Sequence, residues 1–205
     1  MRLGIFGGSF DPVHYGHLLL AECCREQLGL ERVWFLPTGI APHKQDQQAT
    51  PGRHRAAMLE LAIAGHEAFA VHRYEVQREG VSYTVDSLEH FHAEDPSREL
   101  FLLVGADMLH DLPHWRAADR VCELAMVAAV HRPGNGEPDF DCLAPVASPE
   151  RIALFRRHQV EMPAMGLSAT DLRERVSAGR SIRYRTPRAV EKYIGTHRLY
   201  TATKE

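Results

Sequence analysis

The stretch Leu3-Gly4-Ile5-Phe6-Gly7-Gly8-Ser9-Phe10-Asp11-Pro12-Val13-His14-Tyr15-Gly16-His17 runs from a short apolar segment through a glycine turn into the start of a helix. It reads as the junction between a buried strand and the helix that follows. Such a junction offers free backbone N–H groups and the positive end of a helix dipole, and both favour an anion such as phosphate. His14 and His17 stand three apart and direct two imidazoles at the same place. There they can donate hydrogen bonds to phosphate or add positive charge when protonated. A nucleotide triphosphate is the occupant this junction suits.

Outward from it, strands and helices alternate. Residues 2–6, 33–36, 69–72, 100–104, 124–130 and 160–162 read as strands, the fourth and fifth with continuous apolar character. Residues 18–28 read as a helix ended by Gly29, and Thr50 and Pro51 open a helix that runs to Ala64 and stops at Gly65. Further helices are expected over 85–93, 172–178 and 187–197, and 134–149, rich in Pro, Gly and Asp, reads as a loop. Continuous apolar strands separated by helices predict an α/β fold of Rossmann-like, doubly wound type: a parallel sheet covered by helices on both faces. The 205 residues fit one domain, 1–205, with a core over 1–165 and a small C-terminal helical segment over 166–205.

Composition narrows the function classes. Hydrophobic residues at 44% and charged residues at 25% are ordinary for a soluble globular protein. A formal charge of −3 gives no general attraction to nucleic acid or membrane, so neither is an expected partner. The charge is unevenly spread, with 12 Lys/Arg against 5 Asp/Glu in residues 151–205, a balance that suits polyphosphate as well as solvated helix faces. Cys23, Cys24, Cys122 and Cys142 form no CxxC pair and no disulfide framework, which fits a reducing cytoplasm. The chain opens without a signal-peptide pattern, and its longest strongly apolar run, 124–130, is far short of a membrane span. Assembly into a homo-oligomer is left open.

Ligands of an open parallel sheet bind beyond the carboxyl ends of its strands, and several polar clusters fall there. Pro42-His43-Lys44 follows the second strand, Gly105-Ala106-Asp107 the fourth and His131-Arg132 the fifth, while Ser168, Thr170 and Arg173 follow the last. Lys44 is a point charge suited to a flexible triphosphate, or a solvated loop lysine. Asp107 can accept hydrogen bonds from ribose hydroxyls or cap the next helix. Ser168-Ala169-Thr170-Asp171 has the pattern of a helix cap, and Arg173 lies one turn further on, so that all three polar groups can face one phosphate. Neither the GxxxxGK[ST] loop nor the GxGxxG fingerprint is present. His110, Asp111 and His114 with Asp107 are the best candidates for a metal cluster, but Pro113 interrupts them.

His14-Tyr15-Gly16-His17 resembles the HxGH signature of the nucleotidyltransferase superfamily, and Leu167-Ser168-Ala169-Thr170-Asp171-Leu172-Arg173 resembles its second signature, ISSTxIR. Within it the whole chain is similar to the bacterial nicotinate-mononucleotide adenylyltransferase family. The similarity is carried by Arg78-Glu79-Gly80-Val81-Ser82-Tyr83-Thr84-Val85-Asp86-Ser87-Leu88, by Gly105-Ala106-Asp107 with Trp115, and by Pro187 to Ile194 with Leu199-Tyr200. Two positions depart from the pattern: Ala169 replaces a serine, and Ala41 replaces a proline before Pro42-His43-Lys44.

The resemblance implies transfer of AMP from ATP to nicotinate mononucleotide, with Mg²⁺ carried in on ATP. It implies catalytic roles for His14, His17, Lys44 and Arg173. ATP would contact Gly7, Gly8, Ser9, Phe10, His14, His17, Gly105, Asp107, Arg132, Ser168, Thr170 and Arg173. The mononucleotide would meet Lys44, Tyr83, Thr84 and Trp115, with the pyridine ring stacked on Trp115 and its carboxylate at the helix start formed by Tyr83 and Thr84.

Overall fold

In the computed structural model, residues 1–40, 50–131 and 137–201 are described. Six parallel strands form one sheet: β1 (Arg2–Gly8), β2 (Arg32–Pro37), β3 (Phe69–Val71), β4 (Glu99–Gly105), β5 (Ala125–His131) and β6 (Val160–Glu161). Their spatial order is β3-β2-β1-β4-β5-β6. Ile5 stands opposite Trp34 on one side and Leu102 on the other, which places β1 and β4 at the centre. Successive side chains of a strand point to opposite faces, and Phe101 to Val104 are all buried, so both faces of the sheet are covered.

The helices among the described residues are α1 (Tyr15–Leu28), α2 (Gly52–Ile63), α3 (Tyr74–Gln77), α4 (Thr84–Glu94), α5 (Ala106–Asp111), α6 (Ala118–Leu124), α7 (Pro149–Arg157), α8 (Ala169–Ser177) and α9 (Arg188–Thr196). Gly29 ends α1 in the left-handed conformation at φ 58°, where its N–H closes the last turn on Arg25 and Glu26. α7 was not expected from the sequence; it starts where Ser148 accepts a hydrogen bond from the Arg151 N–H and Pro149 takes the first turn. α1 also begins earlier than its apolar periodicity suggests. Its first turn carries Gly16 and His17, which serve the strand end rather than the core.

The chain leaves β1 toward β2 and β3 on one side, then crosses back to β4 on the other. The carboxyl ends of β1 and β4 therefore border a crevice at the point where strand order reverses, which is where ligands of this architecture bind. Gly7 and Gly8 form one lip of it and Gly105 the other.

Candidate active site

His14 caps α1 in extended conformation and His17 is the third residue of that helix. The His14 backbone N–H donates to His17 Nδ1 at 3.2 Å, and the two rings stack with centroids 3.7 Å apart and planes 18° from parallel. Because His17 Nδ1 is an acceptor here, the ring's proton sits on Nε2, which becomes a fixed donor. Gly16 makes the stack possible: a Cβ there would lie 3.0 Å from the His14 ring.

The loop before the histidines is anchored by burial. Phe10 adopts φ 48°, a left-handed conformation that costs a non-glycine residue about 1 kcal/mol or more. Its ring is 1% exposed and meets Phe6, Phe35 and His17 at centroid distances of 5.2, 5.8 and 5.1 Å. Any ligand contact by Phe10 must therefore come from its backbone. Gly7, at the exposed end of β1, has open space where a Cβ would stand, room for close approach of a ligand to the main chain.

Beneath this loop lies Arg55, from α2, with only 3% exposure. Its guanidinium donates to carbonyl oxygens of Thr50 (2.8 Å), Ser9 (2.8 Å) and Thr38 (2.6 Å), with a longer contact to Gly39 (3.4 Å). One buried cation thus ties the end of β1, the end of β2 and the start of α2 together. Burial pushes the Arg55 pKa down, opposed by the nearby acidic groups Asp11, Tyr200 and Glu75. Sequence reading missed this residue. Its signal was there: Arg55 shares a helical stripe with Leu59 and Ile63, both buried, at a position where periodicity calls for an apolar side chain.

The second cluster reaches the first through space. Ser168 caps α8 and its Oγ accepts from the Asp171 N–H at 3.1 Å. Arg173 donates to Thr170 Oγ1 at 3.2 Å and to the Asp11 carbonyl oxygen at 2.8 Å, closing a bond between residues 162 apart in sequence. Both hydroxyls act as acceptors in these bonds and keep their own protons to donate, while Arg173 retains further N–H groups. Asp171 pairs with Arg185 at 2.9 Å.

On the opposite lip, Gly105 caps α5 without a side-chain hydrogen bond, and Asp107 stands exposed in its first turn. Tyr83 caps α4 in extended conformation and its carbonyl oxygen accepts from the Asp86 N–H at 3.1 Å, while the N–H groups of Thr84 and Val85 have no intrahelical partners. Half-buried Trp115 precedes Arg116, whose guanidinium lies 4.6 Å over the Tyr83 ring, and Ala117 turns the chain at φ 48°. Lys44 and Arg132 lie outside the described residues.

Among the described residues no group of three or more His, Cys, Asp or Glu is placed to hold a metal, so His110, Asp111, His114 and Asp107 form no such cluster. Among them, no helix is long and apolar enough to cross a membrane.

Comparison with known proteins adds family context to this geometry. Residues 5–175 match the Cytidylyltransferase-like family model. A protein of Thermomicrobium roseum is 47% identical over 97% of this chain and 91% of its own length, and one of Geobacillus kaustophilus is 42% identical over 98% and 87%. Both carry the name "Probable nicotinate-nucleotide adenylyltransferase". Among solved structures, the nicotinic acid mononucleotide adenylyltransferase of Plasmodium falciparum complexed with APC superposes with a TM-score of 0.73 at 16% identity, covering 97% of this chain and 96% of that one. The same enzyme complexed with NaAD gives 0.72, with 97% of each chain covered. At such low identity these two matches speak for the fold.

Proposed function

This chain belongs to the nicotinate-nucleotide adenylyltransferase family of cytidylyltransferase-like proteins, and from that premise we propose how its residues divide the work. The enzyme moves AMP from ATP to nicotinate mononucleotide, giving deamido-NAD and pyrophosphate, a step of NAD biosynthesis. A phosphate oxygen of the mononucleotide attacks the α-phosphorus in line. The bond from that phosphorus to the bridging oxygen breaks, and pyrophosphate leaves with the electron pair. The nucleophile is already an anion, so the protein's task is to align two substrates and offset negative charge.

The observation that carries the assignment of roles is the bond from Arg173 to Asp11, which brings the two polar clusters to one strand end. His17 donates through Nε2 to the α-phosphate as charge develops there, and His14 and the start of α1 complete that wall. Arg173, Ser168 and Thr170 hold the outer phosphates, joined by Lys44. Gly7, Gly8, Ser9 and the Phe10 backbone line the phosphate path; Gly105 and Asp107 hold the ribose, with Arg132 beyond β5. The imidazole, guanidinium and hydroxyl groups facing this crevice suit phosphate oxygens, whereas Mg²⁺ prefers oxygen ligands such as phosphate and water. The divalent metal used with ATP would be Mg²⁺ held by the triphosphate and water, where it would supply charge neutralisation.

On the acceptor side the pyridine ring stacks on Trp115 and its carboxylate meets the free N–H groups at the start of α4. A panel of acceptors with Mg-ATP, followed by pyrophosphate release, tests the reading. Nicotinate mononucleotide should be the preferred acceptor. Preference for nicotinamide mononucleotide would overturn the carboxylate assignment, and preference for phosphopantetheine would overturn the acceptor class.

A further inference from the structure

The Asp11 side chain is 7% exposed, lies between the two signature motifs and takes no part in the chemistry described above. Its carboxylate accepts from two directions, the Thr50 N–H at 3.2 Å on Oδ2 and the Tyr200 hydroxyl at 2.5 Å on Oδ1. Its backbone carbonyl accepts from Arg173. Tyr200 therefore touches the far end of the residue whose main chain anchors Arg173.

The late part of the chain is shaped to bring that hydroxyl to this place. Arg198 and Tyr200 both adopt left-handed backbone conformations, at φ 50° and 62°. Side chains rarely accept this geometry unless their surroundings enforce it, and such positions cluster at functional sites. The turn is closed by the Leu199 N–H on the Ile194 carbonyl and by the Thr201 hydroxyl on the Arg198 carbonyl. Nearby, the Thr186 hydroxyl donates to the Val13 carbonyl at 2.7 Å and the Tyr15 N–H to the Arg185 carbonyl at 3.1 Å. The loop that carries the first histidine is thus gripped by residues 173–200 on one side and by Arg55 on the other. Tyr200 and Arg173 also line one shared surface pocket. Burial and the Asp11 carboxylate push the Tyr200 pKa up, which keeps the phenol protonated and able to donate.

We propose that Tyr200 is a positioning residue for phosphate binding: its hydroxyl fixes Asp11, and Asp11 in turn sets the guanidinium of Arg173. The proposal rests on Arg173 being a phosphate ligand, as argued under the proposed function. Remove the hydroxyl and, among the described residues, the Asp11 carboxylate keeps only the Thr50 N–H; the peptide it belongs to can then rotate, and the Arg173 anchor moves with it.

The Tyr200→Phe variant keeps the ring and its packing and deletes only the donor. Mg-ATP affinity by calorimetric titration should weaken about tenfold, the scale of one hydrogen bond to a charged group. The ATP KM should rise in step while the nicotinate mononucleotide KM stays within twofold of wild type. A purely structural role would lower the active fraction and leave both KM values unchanged. Arg173→Lys added to Tyr200→Phe should cost less than the product of the two single losses, because both act through one guanidinium. An ATP affinity within twofold of wild type, or fully multiplicative losses, would overturn the proposal. Should Tyr200→Phe fail to fold, Asp11→Asn perturbs the same contact from the other end and carries the same expectation. If the wild-type protein binds Mg-ATP but transfers nothing to nicotinate mononucleotide, the acceptor reading fails, while the titration still judges Tyr200.

Discussion

The two lips of the crevice are built in different ways. On the β1 side, the loop of residues 9–15 is tied to distant parts of the chain by Arg55, Arg173, Thr186 and Tyr200, each through a hydrogen bond spanning 46 residues or more. On the other side, the Arg116 guanidinium lies over the Tyr83 ring, and Tyr83, Thr84 and Trp115 stand at partly exposed positions. The first arrangement is over-determined and suits a reaction that needs fixed donors at a developing charge. The second relies on a flat aromatic face and a helix end, and suits recognition of one ring and one carboxylate. The contrast fits the proposed division, with chemistry at the first lip and acceptor choice at the second.

The strongest way to break that division is His17→Ala. Removing a preorganised donor from the α-phosphate should lower kcat about a thousandfold, near 4 kcal/mol, with the fold intact by circular dichroism. A near-normal rate would place the chemistry elsewhere. Arg55→Met tests whether the β1 lip is braced from below. It leaves the Ser9, Thr38 and Thr50 carbonyls without their donor. Loss of such a network should reduce stability by about 3 kcal/mol in denaturant titration. A loss below 1 kcal/mol would mean that water replaces the guanidinium without strain.

Trp115→Ala probes the opposite lip. The nicotinate mononucleotide KM should rise about tenfold, the scale of a lost stacking contact, while the ATP KM stays fixed. A rise in both would show that the lips are not independent.

The smallest effect concerns the far end of α4. Phe91 there meets His72 at 4.7 Å, and His72 stacks on Trp34 at 4.8 Å. Burial is the main cause that holds the His72 pKa below its ordinary value. A depressed folded-state pKa means that the unfolded chain takes up its proton first as pH falls. Stability from this group is therefore complete above the unfolded pKa of about 6.5 and lost as pH drops through the folded value. Melting curves between pH 7.5 and 5 should show this decline, at most about 1.4 kcal/mol per pH unit for one proton, and His72→Gln should flatten it. An unchanged slope in the variant would exonerate the stack.

Local sequence determined the strands, most of the helices and the character of the opening junction. Apolar runs at 100–104 and 124–130 identify buried strands by composition alone, and the glycine turn followed by two histidines reads locally as a strand-to-helix junction. Such signals are legible because period and turn chemistry act between neighbours in the chain. The helices α3, α5, α6 and α7 were not legible: short and packed against larger elements, they owe their existence to contacts made after collapse. Arg55 and Tyr200 belong with them. Helical spacing marks Arg55 as inward-facing and Tyr200 is a tyrosine late in the sequence, but in neither case does the local sequence show what the side chain holds. Only the tertiary structure decided that Arg55 collects three carbonyls, that Asp11 joins Tyr200 to Arg173, and that Phe10 turns inward. The reason is physical: these bonds span up to 189 residues, and their partners are chosen by the strand order that brings them to one sheet edge.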